Sequence, residues 1–335
     1  MNILKNKIAS TLISGCLLAT ASSVVFAHGE SIRGGGSGSV NSVGAEILTE
    51  KVVGLRWDAR RYETFSDQEL IDFRAQGEDV HMHSSEDAYF LSLGFPINED
   101  MDLSMMLQYN NFKDFKDNGD GNANTCFAGT PAVTGSLSSA SCISDTAESP
   151  GVGDLLLTGR YRFYNDGDSQ LASVFGVILP TGKITNQTDK GEILGTHNQP
   201  GSGAITFQGG LAFSGHATEK VAIDADIIYR FATEGAKNFR TGSSWQADIA
   251  ASFNHHSNIT PVIELNGIFF DRDIEEDAVK ANSGGDVIYL SPGINFKIDE
   301  KSGVYANVSI PVYQELSGIS NDEDYRWSLG WGRSL

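Results

Sequence analysis

Charged side chains recur at every second position in several stretches of this chain. Arg56, Asp58 and Arg60 form one such row, Arg160 and Arg162 a second, and Asp224, Asp226 and Arg230 a third; Asp248, Glu264 and Asn266 stand in segments of the same kind. In an extended strand residues i and i+2 share a face, so each row projects to one side. Rows of charge around an enclosed space make a hydrophilic lining that orients polar solutes. The competing reading is that these groups pair with one another and fill the interior.

Other groupings carry less chemistry. His81-Met82-His83, followed by Glu86 and Asp87, sets two imidazoles two residues apart beside carboxylates, a spacing compatible with a weak metal site, but a solvated polar loop is the favoured reading because a metal site also needs fixed geometry. The run from Lys113 to Asn122 is rich in Asp and Gly but lacks the ordered ligand spacing and terminal Glu of a calcium loop. Nucleophilic catalysis needs a Ser with a His base oriented by a third polar group. His81, His83, His197, His216, His255 and His256 offer no identifiable Ser partner, so no catalytic residues, cofactor or resident metal are expected. Cys126 and Cys142 share one polar loop, where an oxidising compartment would close them as a disulfide.

Of 335 residues, 40% are hydrophobic, and the net charge is -19. That acidity argues against a nucleic-acid partner, which requires a basic patch. The low average hydropathy fits a soluble protein, and fits equally a membrane barrel whose strands alternate. Lys5 and Lys7 precede an apolar run ending at Val25-Phe26-Ala27, which reads as a signal peptide over residues 1–27. Cys16 in Ile13-Ser14-Gly15-Cys16 leaves a lipidated N-terminus as the alternative, although the apolar run continues past it. Residues 28–50 contain Gly34-Gly35-Gly36-Ser37-Gly38-Ser39 and read as a flexible tether that either hangs free or tucks into the domain formed by the rest of the chain.

From residue 51 onward, about twelve alternating segments are expected, at 51–62, 87–95, 101–112, 153–164, 170–179, 203–213, 220–231, 243–254, 259–270, 286–296, 303–313 and 324–335. Connections after the even-numbered segments are short and those after the odd-numbered ones are long and polar. Short turns at one end and long loops at the other, with an even strand count, are the pattern of bacterial outer-membrane barrels. Apolar faces such as Ile205, Phe207, Leu211 and Phe213, then Trp245, Ile249 and Phe253, would meet lipid. The last segment sets Tyr325, Trp327, Leu329, Trp331 and Leu335 on one face, similar to the C-terminal signal read by the barrel-assembly machinery, with Leu where Phe is usual.

The segments GVGDLLLTGRYRFY (151–164), FGVILPTGK (175–183) and HNQPGSGAITFQGG (197–210) resemble the transporter family named for the MetA pathway of phenol degradation, which also includes the pore exporting functional-amyloid subunits. The resemblance implies an outer-membrane barrel that transports small solutes and has no catalytic residues. The amyloid pore's long helical segment ahead of its barrel has no counterpart in the short Gly-rich stretch here.

The expectation is therefore an all-β, transmembrane, antiparallel up-and-down barrel over residues 51–335, in the outer membrane of a Gram-negative cell after signal cleavage. Its partners would be outer-membrane lipid, the assembly machinery and an unidentified small solute. Its function would be a narrow, charge-lined channel, with hydrophobic or aromatic compounds as one solute class. A non-conducting structural or adhesive barrel and a lipid-modifying barrel enzyme are the alternatives.

Overall fold

The computed structural model describes residues 39–78, 80–118, 145–253 and 258–335. The signal peptide, Cys16, both loop cysteines, His255 and His256 lie outside the described residues. Twelve strands form the wall: β1 Val52–Tyr62, β2 Ser85–Asn98, β3 Met101–Asp117, β4 Leu155–Asn165, β5 Ser169–Leu179 and β6 Thr206–Thr218. They continue as β7 Val221–Ala232, β8 Ser244–Phe253, β9 Ile259–Phe270, β10 Gly285–Lys297, β11 Ser302–Leu316 and β12 Glu323–Ser334.

Each strand pairs antiparallel with its sequence neighbour, and β1 closes on β12 in a ladder from Val52 opposite Ser334 to Arg61 opposite Tyr325. Closure satisfies the edge hydrogen bonds that lipid could not. All twelve segments expected from alternation are strands, with ends shifted by a few residues, the largest extensions being at the long-loop end of β3 and the short-turn end of β6.

Alternation places the two faces in different media. Leu55, Leu91, Leu107, Phe175, Leu211, Ile249 and Leu265 are exposed on the outside, an apolar surface that suits lipid. Aromatics gather toward its ends. Tyr229 lies 4.8 Å from Trp245 near the long loops, and Tyr161, Phe163 and Tyr164 are exposed toward the short turns. The inward residues are mostly polar and buried, among them Asp58, Arg60, Asp226, Gln246, Glu264 and Ser291. No described helix is long and apolar enough to cross a membrane; the crossing elements are strands.

The wall is irregular between β3 and β4. These strands pair only from Met101 to Met106, and farther up β3 pairs with a separate strand, Asp145–Val152. The break between that strand and β4 falls at Gly153-Asp154. Asp154 there accepts hydrogen bonds from the Gly182 and Ser202 amides at 2.8 and 2.9 Å and from the Ser202 hydroxyl at 2.6 Å. Gly182 and Gly201 meet backbone to backbone, and a Cβ on Gly182 would lie 2.6 Å from the Cα of Gly201. Above β1 and β2, α1 (Asp67–Ala75) starts from a capping box of Ser66 and Glu69. It packs Leu70 against Phe65, Val80 and Met82.

Candidate functional site

The lumen is the candidate site, and its short-turn half is occupied by the chain itself. Residues 39–48, the described end of the Gly-rich segment, run from mid-barrel down to the start of β1. Val40 and Ala45 are fully buried, and Asn41, Ser42, Val43, Ile47 and Leu48 are nearly so. A segment without a strand partner must satisfy its amides elsewhere, because buried unpaired backbone groups are costly. Here the lumen side chains supply the partners.

The acidic side of the wall accepts from this strap. Glu264 takes the amides of Val40 and Asn41, the latter at 3.0 Å. Asp226 takes the Val43 amide at 2.6 Å, Ser214 the Ala45 amide at 2.8 Å, and Asp102 the Leu48 amide at 2.8 Å. Arginines donate in turn to strap acceptors. Arg56 reaches the Val40 carbonyl at 3.1 Å and the Asn41 side chain at 3.0 Å, and Arg160 reaches the Gly44 carbonyl at 3.0 Å.

Gly44 is there for space: a Cβ would sit 2.8 Å from the Ser214 hydroxyl and 2.9 Å from Asp224. Val43 and Ala45 pack on an apolar wall of Ala172, Val174, Ala212 and Ile228. The segment read as a flexible tether is thus, in its described part, a strap fixed inside the barrel.

The residues singled out in the sequence occupy four settings. Arg56 and Asp58 pair at 2.6 Å beneath the strap, with Asp224, Asp226, Asp248 and Glu264 facing it from β7 to β9. The strap backbone at Val40 and Asn41 bridges Arg56 on one side and Glu264 on the other. Arg160 forms a two-pronged pair with Asp102 at 3.1 and 2.6 Å. Arg162 instead ties the short-turn rim, reaching Asp100 at 3.0 Å and the Glu99 carbonyl at 2.7 Å.

Arg60 belongs to a separate buried network higher in the lumen. It pairs with Glu86 at 3.3 Å, while Arg326 pairs with Glu323 at 2.9 Å and donates to the Tyr289 hydroxyl at 3.0 Å. Removing one member of such a network strands another buried charge, so it braces the barrel near β1, β2, β10 and β12. Arg230 lies between the Gln208 and Gln246 side-chain oxygens at 3.0 and 2.9 Å.

On the opposite side, in the long-loop half, the lumen opens into a cavity. Met106, Leu156 and Ile178 form an apolar wall, continuous with buried Ala88 and Phe90. Arg230 and Ser244 lie below, and His197, Gln199 and Phe239 come from the loops above. The loop carrying His197 is held by Gln199, whose side chain exchanges two hydrogen bonds of 2.9 Å with the backbone of Asn186.

His81 and His197 approach each other at 2.7 Å between Nε2 atoms. His83 is buried between Tyr62 and Phe112, and burial pushes its imidazole down to about 3. His81 and His83 are therefore not a solvated loop pair; their side chains meet different partners. Burial, then the neighbouring His81, holds His197 well below the usual histidine range.

Charge alternation pointed to the arginines and carboxylates but not to Asp102, Ser214, Gly44, Asp154 or Gln199. The usable signal was the cluster of GVGD, PTGK and HNQPGSG segments, which the fold brings together around Asp154.

Residues 97–316 match the model of the family described as the MetA-pathway of phenol degradation. The chain belongs to that family. No curated protein sequence matches it. Among solved structures, it is similar to an outer membrane channel from Pseudomonas putida F1, at 14% identity and a TM-score of 0.60, over 89% of this chain and 100% of that one. It is also similar to the transport unit of the autotransporter AIDA-I from Escherichia coli, at 12% identity and a TM-score of 0.48, over 86% and 91% of the two chains. The toluene transporter TbuX of Ralstonia pickettii aligns at 8% identity and a TM-score of 0.42, over 86% and 90%. At these identities the likeness to the Pseudomonas channel shows the fold, that of an outer-membrane barrel.

Proposed function

We propose that this barrel passes small, largely apolar solutes, aromatic compounds included, across the outer membrane, with the strap as its closed-state obstruction. The observation that carries this reading is the asymmetry of the lumen. A cavity walled by Met106, Leu156 and Ile178 faces the long loops, and the only described segment running through the half below it is the hydrogen-bonded strap of residues 39–48. Pockets for small organic molecules combine an apolar wall with a few placed polar groups. Gln108, Arg230 and Ser244 are in position to orient a solute that carries one polar substituent.

The chain is taken as exported with removal of residues 1–27, assembled by the barrel machinery in contact with outer-membrane lipid, bridged at Cys126 and Cys142, and without catalytic activity. The strap's grip favours a second reading, a permanently closed structural barrel. Uptake of a small phenol into liposomes carrying the refolded protein separates the two. Entry faster than into protein-free liposomes supports transport. No entry, either with the full chain or with one lacking residues 39–47, leaves the structural barrel.

A further inference from the structure

Two histidines 116 positions apart in sequence aim the same ring nitrogen at one point. His81 stands on a short strand, His81–Met82, that pairs with Asp117 and Lys116 at the top of β3. His197 stands in a single 3-10 turn, Thr196–Asn198, whose Thr196 hydroxyl donates to the Ala236 carbonyl at 3.1 Å. The rings lie 4.4 Å apart between centroids, backed by Phe115 on one side and Phe239 on the other. Both backbones are thus anchored, and His197 lines the cavity.

We propose that His81 and His197 form a two-imidazole site for a borderline divalent metal ion, Zn²⁺ being the reference ion, which staples two long loops beside the cavity mouth. Neutral imidazole is the ligand such ions take, with Cu²⁺ bound more tightly than Zn²⁺. Zn–N bonds of about 2.0–2.1 Å in tetrahedral geometry put two ligand nitrogens about 3.3 Å apart. The 2.7 Å separation therefore needs to widen by about half an ångström, within the reach of side-chain rotation. Without metal, a proton shared between the two nitrogens occupies the same place.

Among the described residues no group of three His, Cys, Asp or Glu converges, so water completes the coordination. The nearby cations are engaged: Lys280 pairs with Glu275 at 2.9 Å, and Lys237 donates to the Ile193 and Leu194 carbonyls at 2.9 and 3.2 Å. The site is independent of whether the barrel conducts, since metal binding is read without transport.

The test is calorimetric titration of ZnCl₂ into the purified full-length barrel in detergent. One Zn²⁺ site is expected to weaken by roughly tenfold or more in His81→Gln and likewise in His197→Gln, because each removes one of two protein ligands. His216→Gln, at the opposite end, should leave that site unchanged. Zn²⁺ binding by both single variants within twofold of the parent would overturn the proposal and leave a hydrogen-bonded pair. A second measurement needs no variant: on the unaltered chain, Zn²⁺ should slow amide exchange in both 80–84 and 194–199. Exchange unaffected by Zn²⁺ in these two loops also overturns it.

Discussion

The two halves of the lumen are built on opposite principles. Toward the short turns, wall charges grip the strap, as Glu264, Asp226 and Asp102 accept strap amides while Arg56 and Arg160 hold strap carbonyls. Toward the long loops, Met106, Leu156 and Ile178 leave an apolar-walled space roofed by loop residues. The difference locates the obstacle and the resting place of a solute in different parts of one barrel. A polar segment can be held firmly in a lumen only where the wall supplies its hydrogen bonds. An apolar wall supplies none and stays open.

Breaking the strapped half should have the largest effect. A chain lacking residues 39–47, reconstituted in planar bilayers, is expected to conduct on the order of tenfold more than the full chain, since a polar interior is uncovered. Equal conductance would place the obstruction elsewhere. Glu264→Ala removes the acceptor of two strap amides and should weaken the strap by about 1.5–3 kcal/mol, the usual range for hydrogen bonds to a charged group. Hydrogen exchange would read this as faster amides at 40 and 41, with the barrel ladders unchanged.

Gly44→Val tests steric fit in the same half. Its side chain has no room beside Ser214 and Asp224, so a loss of about 1–3 kcal/mol is expected from overpacking, visible as the same local exchange near residue 43. The open half is sharpened by Ile178→Trp, which fills the cavity without touching the strap. Phenol entry should drop several-fold while denaturant stability changes by less than about 3 kcal/mol. Unchanged entry would show that the cavity is off the path.

The smallest effect concerns pH and the roof. His83, buried outside the wall strands, has its imidazole held from 6.5 down to about 3 in the folded protein. The unfolded chain takes up that proton first as pH falls. The contribution of neutral His83 is therefore complete above about 6.5 and is lost as pH drops toward 3. Exchange in 80–84, corrected for its intrinsic pH dependence, should rise across that window, and His83→Phe should flatten the response.

The barrel was legible in the sequence because strand alternation is a local property. Period-two patterning set which face of β6, β7 and β8 meets lipid, and the parity of loop lengths set the up-and-down order. The inward charges could be named for the same reason. Their partners could not, because Arg56 and Glu264 are related through a backbone segment that neither borders in sequence. Composition marked residues 34–39 as pliable, and a pliable stretch has no period from which to read a destination. Closure of the barrel decided where the described residues that follow this stretch, 39–48, lie, by bringing acids from β7 to β9 opposite arginines from β1 and β4 at hydrogen-bonding distance from one strap. Packing of two long loops set His81 against His197. Sequence by itself determined the wall and the sign of its charges; only tertiary structure decided what those charges hold, since pairing across a lumen depends on curvature and register that accumulate around the whole barrel.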